Sequence, residues 1–152
     1  MPAPQFDHEK LDVYQLQLQF IRWLADLFEE LHTAKPRRVA ETLDQLDRAS
    51  LSVLLNIAEG NGRRPTQQRV RFLDDARGSV TECAACLDAL VAKRVAEEAR
   101  VAEEARVAVG KSLLIRVISI LTKLVALFEG KVDDAAAHGL SSRSRSRITR
   151  TS

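Results

Sequence analysis

Two cysteines, three histidines and a knot of arginines have the widest chemical reach in this sequence. Cys83-Ala84-Ala85-Cys86 has the spacing of a redox dithiol or half a zinc site. Activated thiols need an exposed helix N-terminus or adjacent positive charge to lower their pKa. Here the pair falls inside a helical pattern with Cys83 on its apolar stripe, so it reads as core packing. His8, His32 and His138 are isolated, and no second ligand pair has a familiar spacing, so no metal or cofactor is expected. Asp74–Asp75 and Glu97–Glu98 are sequence neighbours, which a helix turns about 100° apart, away from a common substrate. Neither a nucleophile elbow nor a phosphate loop is present. Catalysis by Cys83, or by Glu59 with Glu82, is an alternative with no motif behind it, and the expectation is a non-enzymatic protein.

Arg63, Arg64, Arg69 and Arg71 surround a turn between two helical patterns. Guanidinium groups beside the free N–H groups of a helix start suit phosphate oxygens. Asp74 and Asp75 lie one turn further on and can neutralise part of the patch, and no aromatic series is interleaved to stack bases. Two readings stay open at this point: a salt-bridged structural turn and a nucleic-acid surface.

The elements that must position these residues are helical. Ala, Leu, Val, Glu and Arg dominate, with four prolines and six glycines in 152 residues, a length that suits one domain. Helices are predicted at about 10–32, 39–59, 67–92 and 100–129, behind an arm at 1–9. The first carries two stripes, Leu11, Tyr14, Leu18, Ile21, Ala25 and Phe28 beside Val13, Leu16, Phe20, Leu24, Leu27 and Leu31. Together they cover an arc of roughly 220°, more than one core requires. Lys35–Arg38 breaks the pattern at Pro36. Leu43, Leu46, Val53, Leu54 and Ile57 give the second helix its apolar face, and Asn61 and Gly62 are read as its end. Thr66 is the expected cap of the third, whose Leu73, Ala76, Val80, Cys83, Leu87 and Leu90 make a narrow heptad-like seam. The fourth is clearest over Lys111–Phe128, again with a broad apolar arc. Before it, RVAEEA occurs twice from Arg94. A six-residue period advances a helix by about 600°, so its valines diverge and the segment reads as a solvated extension ending at Gly110. The expected architecture is all-α, an antiparallel up-down-up-down four-helix bundle.

The formal charge of +2 divides into +3 for residues 131–152 and −1 for the rest, so the basic character belongs to the tail. The body offers nucleic acid only local patches. The Ser/Arg-rich tail at 131–152 has few apolar residues, and composition predicts disorder. The polar opening is unlike a signal peptide. Ser112–Phe128, interrupted by Arg116 and Lys123, is too short to cross a membrane. With two cysteines and no disulfide framework, a cytoplasmic location without membrane contact is expected.

NIAEGNGR at Asn56–Arg63, RFLDDARGSVTE at Arg71–Glu82 and the opening FDHEKLDVYQ at Phe6–Gln15 resemble the 23S rRNA-intervening sequence protein family. The resemblance covers roughly 6–128 and rests on Asn56, Glu59, Gly60, Gly62 and Arg63 at the turn and Gly78, Ser79 and Glu82 in the third helix. It implies a small four-helix bundle. Members are similar to accessory variability proteins of diversity-generating retroelements, which form five-membered barrels and engage a reverse transcriptase and nucleic acid. The resemblance thus implies a homo-oligomer, by that precedent a pentamer, with RNA, DNA or a protein such as a reverse transcriptase as partner. The matched residues are expected to be structural: the turn glycines to reverse the backbone, Gly78 to let helices approach, and Glu59 and Glu82 to orient Arg48 and Arg77. The RVAEEA duplication and the Ser/Arg tail depart from the family pattern.

The sequence expectation is therefore an oligomeric binding or scaffold protein that holds RNA or DNA through Arg63, Arg64, Arg69 and Arg71. Its alternative is a protein-binding adaptor with no nucleic-acid contact.

Overall fold

Asp12 opens the first long helix because the chain arrives there through a short 3-10 turn, Asp7–Lys10, that folds the expected arm back on itself. The Phe6 amide donates to the Glu9 carboxylate at 2.6 Å, and Gln15 Nε2 donates to the Glu9 carbonyl at 2.8 Å. His8 lies between the Phe6 and Tyr14 rings. The computed structural model describes residues 3–34, 39–93 and 104–148. Within them four helices follow the turn: α1 Asp12–Ala34, α2 Ala40–Gly62, α3 Thr66–Ala92 and α4 Glu104–Ile148. The Pro36 break and most of the RVAEEA repeat, including the expected start of the fourth helix near residue 100, lie outside the described residues.

Consecutive helices pack on one another, and α1 closes the bundle against α4. The pairing runs antiparallel throughout. Thr42, Gln45 and Ser52 of α2 meet Lys93, just past the end of α3, and Glu82 and Ser79 within it, so one number rises as the other falls. Arg69 and Asp88 of α3 meet Phe128 and Lys111 of α4 in the same reversed order. Trp23 and Glu30 of α1 meet Gly110 and Arg106. The chain is an up-down-up-down four-helix bundle.

The core takes one of the two stripes of α1: Val13, Leu16, Phe20, Leu24, Leu27 and Leu31 are buried, while Leu18, Ile21 and Phe28 stay half-exposed and Ala25 exposed. The α3 seam is buried residue for residue as its spacing predicts, from Leu73 to Leu90. Opposite it, Leu46, Val53 and Ile57 of α2 and Leu114, Val117 and Leu121 of α4 complete the interior.

Four local expectations change. Asn61 and Gly62 do not stop α2; they form its last turn, and the chain leaves the helix at Arg63 in an extended conformation. Pro65, not Thr66, holds the N-cap position of α3, and no side chain bonds to the amides there. Gly110 is no break. It is buried inside α4, where a methyl group would overlap the outer carbons of the Trp23 indole, so hydrogen is the only substituent that fits. Finally, α4 continues to Ile148, whereas composition predicts an unordered tail from Lys131. Ala135–Ala137 favour helix, and the last proline of the chain is Pro65, so nothing covalent stops the propagation.

One buried polar residue lies within the core stripe of α1. Gln17 is fully buried; its Nε2 donates to the Ser50 carbonyl of α2 at 2.9 Å, while its Oε1 has no hydrogen-bond partner among the described residues. An orphaned buried acceptor costs on the order of 1–3 kcal/mol, against about 1 kcal/mol for one ordinary hydrogen bond. Gln17→Met, nearly the same volume, should therefore raise stability by about 1 kcal/mol in urea denaturation followed by circular dichroism. A loss of similar size would mean that the bond to Ser50 outweighs the stranded oxygen.

Candidate nucleic-acid interface

The turn between α2 and α3 is three residues long, Arg63, Arg64 and Pro65, and it gathers the arginine cluster because α3 begins immediately beyond it. Gly60 makes the tight crossing possible. A Cβ there would lie 3.1 Å from Cβ of Phe72 and 3.5 Å from the Arg69 carbonyl, so the last turn of α2 lies directly on the first turns of α3. Close approach, not backbone reversal, is the role of Gly60. Gly62 and Gly78 face open space, which removes the expected packing role for Gly78.

The four arginines divide into two kinds. Arg69 is half-buried and points back at the end of α2, where one terminal nitrogen donates to the carbonyls of Asn61 at 3.2 Å and Arg63 at 3.1 Å. Its guanidinium lies 5.0 Å from the Phe128 ring centre, tying α2, α3 and α4 together. Helix C-termini leave carbonyls without partners, and Arg69 supplies donors at that point. Arg63 is intermediate in kind. It is exposed, lies 3.5 Å from Glu59 and sits 5.0 Å over the Phe72 ring. Arg64 and Arg71 are exposed and have no ion pair or hydrogen bond among the described residues. The sequence showed four equivalent cations; the fold makes one of them a clamp.

Asp74, expected to neutralise the patch, pairs instead with Arg77 at 2.9 Å. From Glu59 to Arg77 there are five arginines against Glu59, Asp74 and Asp75, leaving an excess of two positive charges. Lys131 adds an ammonium 5.2 Å from the other cation-bearing ring, Phe128. Sequence reasoning missed Lys131 and both phenylalanines; the three-residue step from Phe128 to Lys131 on one helix was the available signal. A groove of about 340 Å³ lined by Gln67, Val70, Glu129, Val132 and Asp133 borders the patch with two carboxylates, so the basic surface ends there.

The remaining motif residues knit α2 to α3. Asn56 Nδ2 donates to the Ser52 carbonyl at 2.9 Å and to Ser52 Oγ at 3.2 Å, and Ser52 Oγ lies 3.0 Å from Ser79 Oγ across the helix pair. Glu82 accepts from Gln45 Nε2, and the other end of that amide accepts from Arg48 at 2.8 Å. Glu82 therefore reaches Arg48 through Gln45, while Glu59 pairs with Arg63 and Arg77 with Asp74, which corrects the expected partners. Gln45 and Glu59 are separated by fourteen residues of α2, about 21 Å of helix, so Glu82 and Glu59 do not share a site.

Residues 9–113 match the family model described as 23S rRNA-intervening sequence protein. The chain belongs to that family. The match begins within the 3-10 turn, contains both motif stretches and the arginine turn, and ends inside α4. No curated protein matches the chain. In this family member the motif is thus a helix-joining device: Ser79 and Glu82 bond to Ser52 and Gln45 of α2, Asn56 holds Ser52 in place, and Gly60 lets the two helices meet at the end where the exposed arginines stand.

The other chemically interesting residues are not brought together. Cys83 is fully buried, and burial, with Cys86 and Glu82 adding to it, pushes its thiol up to about 12, so it stays protonated and a poor nucleophile near neutral pH. Cys86 is also shifted upward, by burial first and then by Glu82. Among the described residues no group of three His, Cys, Asp or Glu could hold a metal ion, and no helix is long and apolar enough to cross a membrane.

Proposed function

We propose that this chain is a non-enzymatic, self-associating cytoplasmic scaffold that binds RNA or DNA through the α2–α3 turn. The observation that carries the reading is the pair Arg64 and Arg71, exposed and unpaired among the described residues beside an α3 start that no side chain caps. Arg63, held by a long contact to an exposed glutamate and lying over the Phe72 ring, joins them at little cost. Each phosphate neutralised releases condensed counterions, so affinity falls as salt rises. A ring of subunits, five by the accessory-protein precedent, repeats the same patch and turns a weak site into a multivalent surface. The half-exposed apolar stripe of α1 supports self-association.

The test is fluorescence anisotropy with a labelled RNA hairpin and a labelled DNA duplex over a salt series. The triple variant Arg63→Ala, Arg64→Ala, Arg71→Ala, with Arg69 kept, should bind at least about tenfold more weakly. Its plot of log affinity against log salt should flatten by roughly 2–3 for each subunit in contact. Unchanged affinity and slope would exclude this surface. A partner that survives nuclease in a pull-down, with no binding by the purified chain, would favour the protein-adaptor reading instead.

A further inference from the structure

The core leaves an apolar strip uncovered on the α1–α2 side. Leu51 and Leu55 of α2 are 50% and 53% exposed. Leu18, Ile21 and Leu54 beside them are half-exposed and do not pack on the core cluster. The charges on the same face of α2 are Asp44, Asp47 and Arg48, all exposed; the aspartates have no ion pair among the described residues and Arg48 is tied to Gln45 at 2.8 Å, so the face keeps a net negative charge. A contiguous apolar patch with a charged rim is the usual mark of an interaction surface.

A second strip of opposite charge runs along the outer face of α4. Val109 and Leu127 are 54% and 55% exposed, and Arg116 and Lys123 lie between them on the same face, exposed and without an ion pair among the described residues. From Asp44 to Leu55 and from Arg116 to Leu127 the separation is the same eleven residues, about 16 Å of helix. A helix laid parallel to the other at that register pairs Asp44 with Arg116 and Leu55 with Leu127 at once. Because α2 and α4 pack on α1 and α3 but not on each other, the two strips cannot meet within one chain.

We infer that the α1–α2 strip docks on the α4 strip of a second copy of this chain, head to tail. Such a contact uses two different surfaces, so each subunit keeps one free strip of each kind and further copies add until a ring closes. The inference rests on the self-association proposed above and assigns its faces. Apolar burial supplies the adhesion, and the aspartates and basic side chains fix register and exclude like-with-like pairing.

Sedimentation velocity on the full chain, with circular dichroism to confirm folding, tests it. The natural chain should assemble. Asp44→Arg and Arg116→Asp should each weaken association at least tenfold, and the double variant Asp44→Arg, Arg116→Asp should recover it. Leu55→Asp should dissociate the assembly with helix content unchanged. Natural-strength assembly in both single reversals, or no recovery in the double variant, overturns the face assignment and leaves self-association standing. A natural chain that stays monomeric at high micromolar concentration overturns both.

Discussion

Arg69→Ala should destabilise the bundle by about 2–3 kcal/mol, whereas Arg64→Ala and Arg71→Ala should each change it by less than about 0.5 kcal/mol. The sequence shows all four arginines as neighbours in one basic turn, so the contrast arises entirely from where their side chains go. Truncating Arg69 leaves the carbonyls of Asn61 and Arg63 without their donor and removes the cation over the Phe128 ring. Hydrogen bonds to a charged donor contribute about 1.5–3 kcal/mol, and a partly shielded cation–π contact about 0.5–1. Part of this is offset, because Arg69 Nε is buried with no partner among the described residues and its desolvation is relieved on truncation. Arg69→Lys should recover only part of it, since a compact ammonium placed to donate to the two carbonyls has no planar group left to lie over the Phe128 ring. Urea denaturation measures these differences directly. Equal stability of Arg69→Ala and Arg64→Ala would refute the clamp. The result also governs binding work, because a variant lacking Arg69 confuses lost phosphate contacts with a loosened turn.

Gly110→Val should cost about 3 kcal/mol and shift the fluorescence of Trp23, the single tryptophan, to longer wavelength. Glycine inside a helix is normally a weakness of about 1 kcal/mol relative to alanine. Here the indole fills the space a side chain would occupy, so any substituent must push the ring out of the α1–α4 contact toward water. The bidentate pair between Arg106 and Glu30, at 2.5 and 2.6 Å, lies one turn away and fixes the helix spacing, so the helices cannot simply part. Trp23→Ala in the same chain should return part of the lost stability, because the new side chain then enters the vacated volume. The coupling in that double-mutant cycle should exceed about 1 kcal/mol. An unshifted emission with full stability in Gly110→Val would mean that the indole does not occupy this place.

Reading function from the sequence depended on which features are local. The α3 seam from Leu73 to Leu90 was fully legible, because polar residues surround it and leave only one way to face the core. α1 was ambiguous for the opposite reason: both of its stripes are apolar, and nothing within 23 residues says which one the other three helices will cover. The fold chose the stripe through Phe20 and Leu24, leaving Leu18 and Ile21 for a different partner. Glycine roles were also misjudged. Gly60 and Gly110 serve close approach, and which atom approaches depends on Phe72 in one case and on the distant Trp23 in the other.

By itself the sequence determined the all-α class, the four helices, the narrow face of α3 and the family, since each follows from short-range periodicity or from contiguous motif residues. Tertiary structure alone decided which arginine is a clamp and which are free, which stripe of α1 is buried, and where oppositely charged apolar strips are left uncovered. The physical reason is range. Helix periodicity is set by bonds four residues apart, while burial and pairing are set by side chains that meet only when antiparallel helices bring distant positions together.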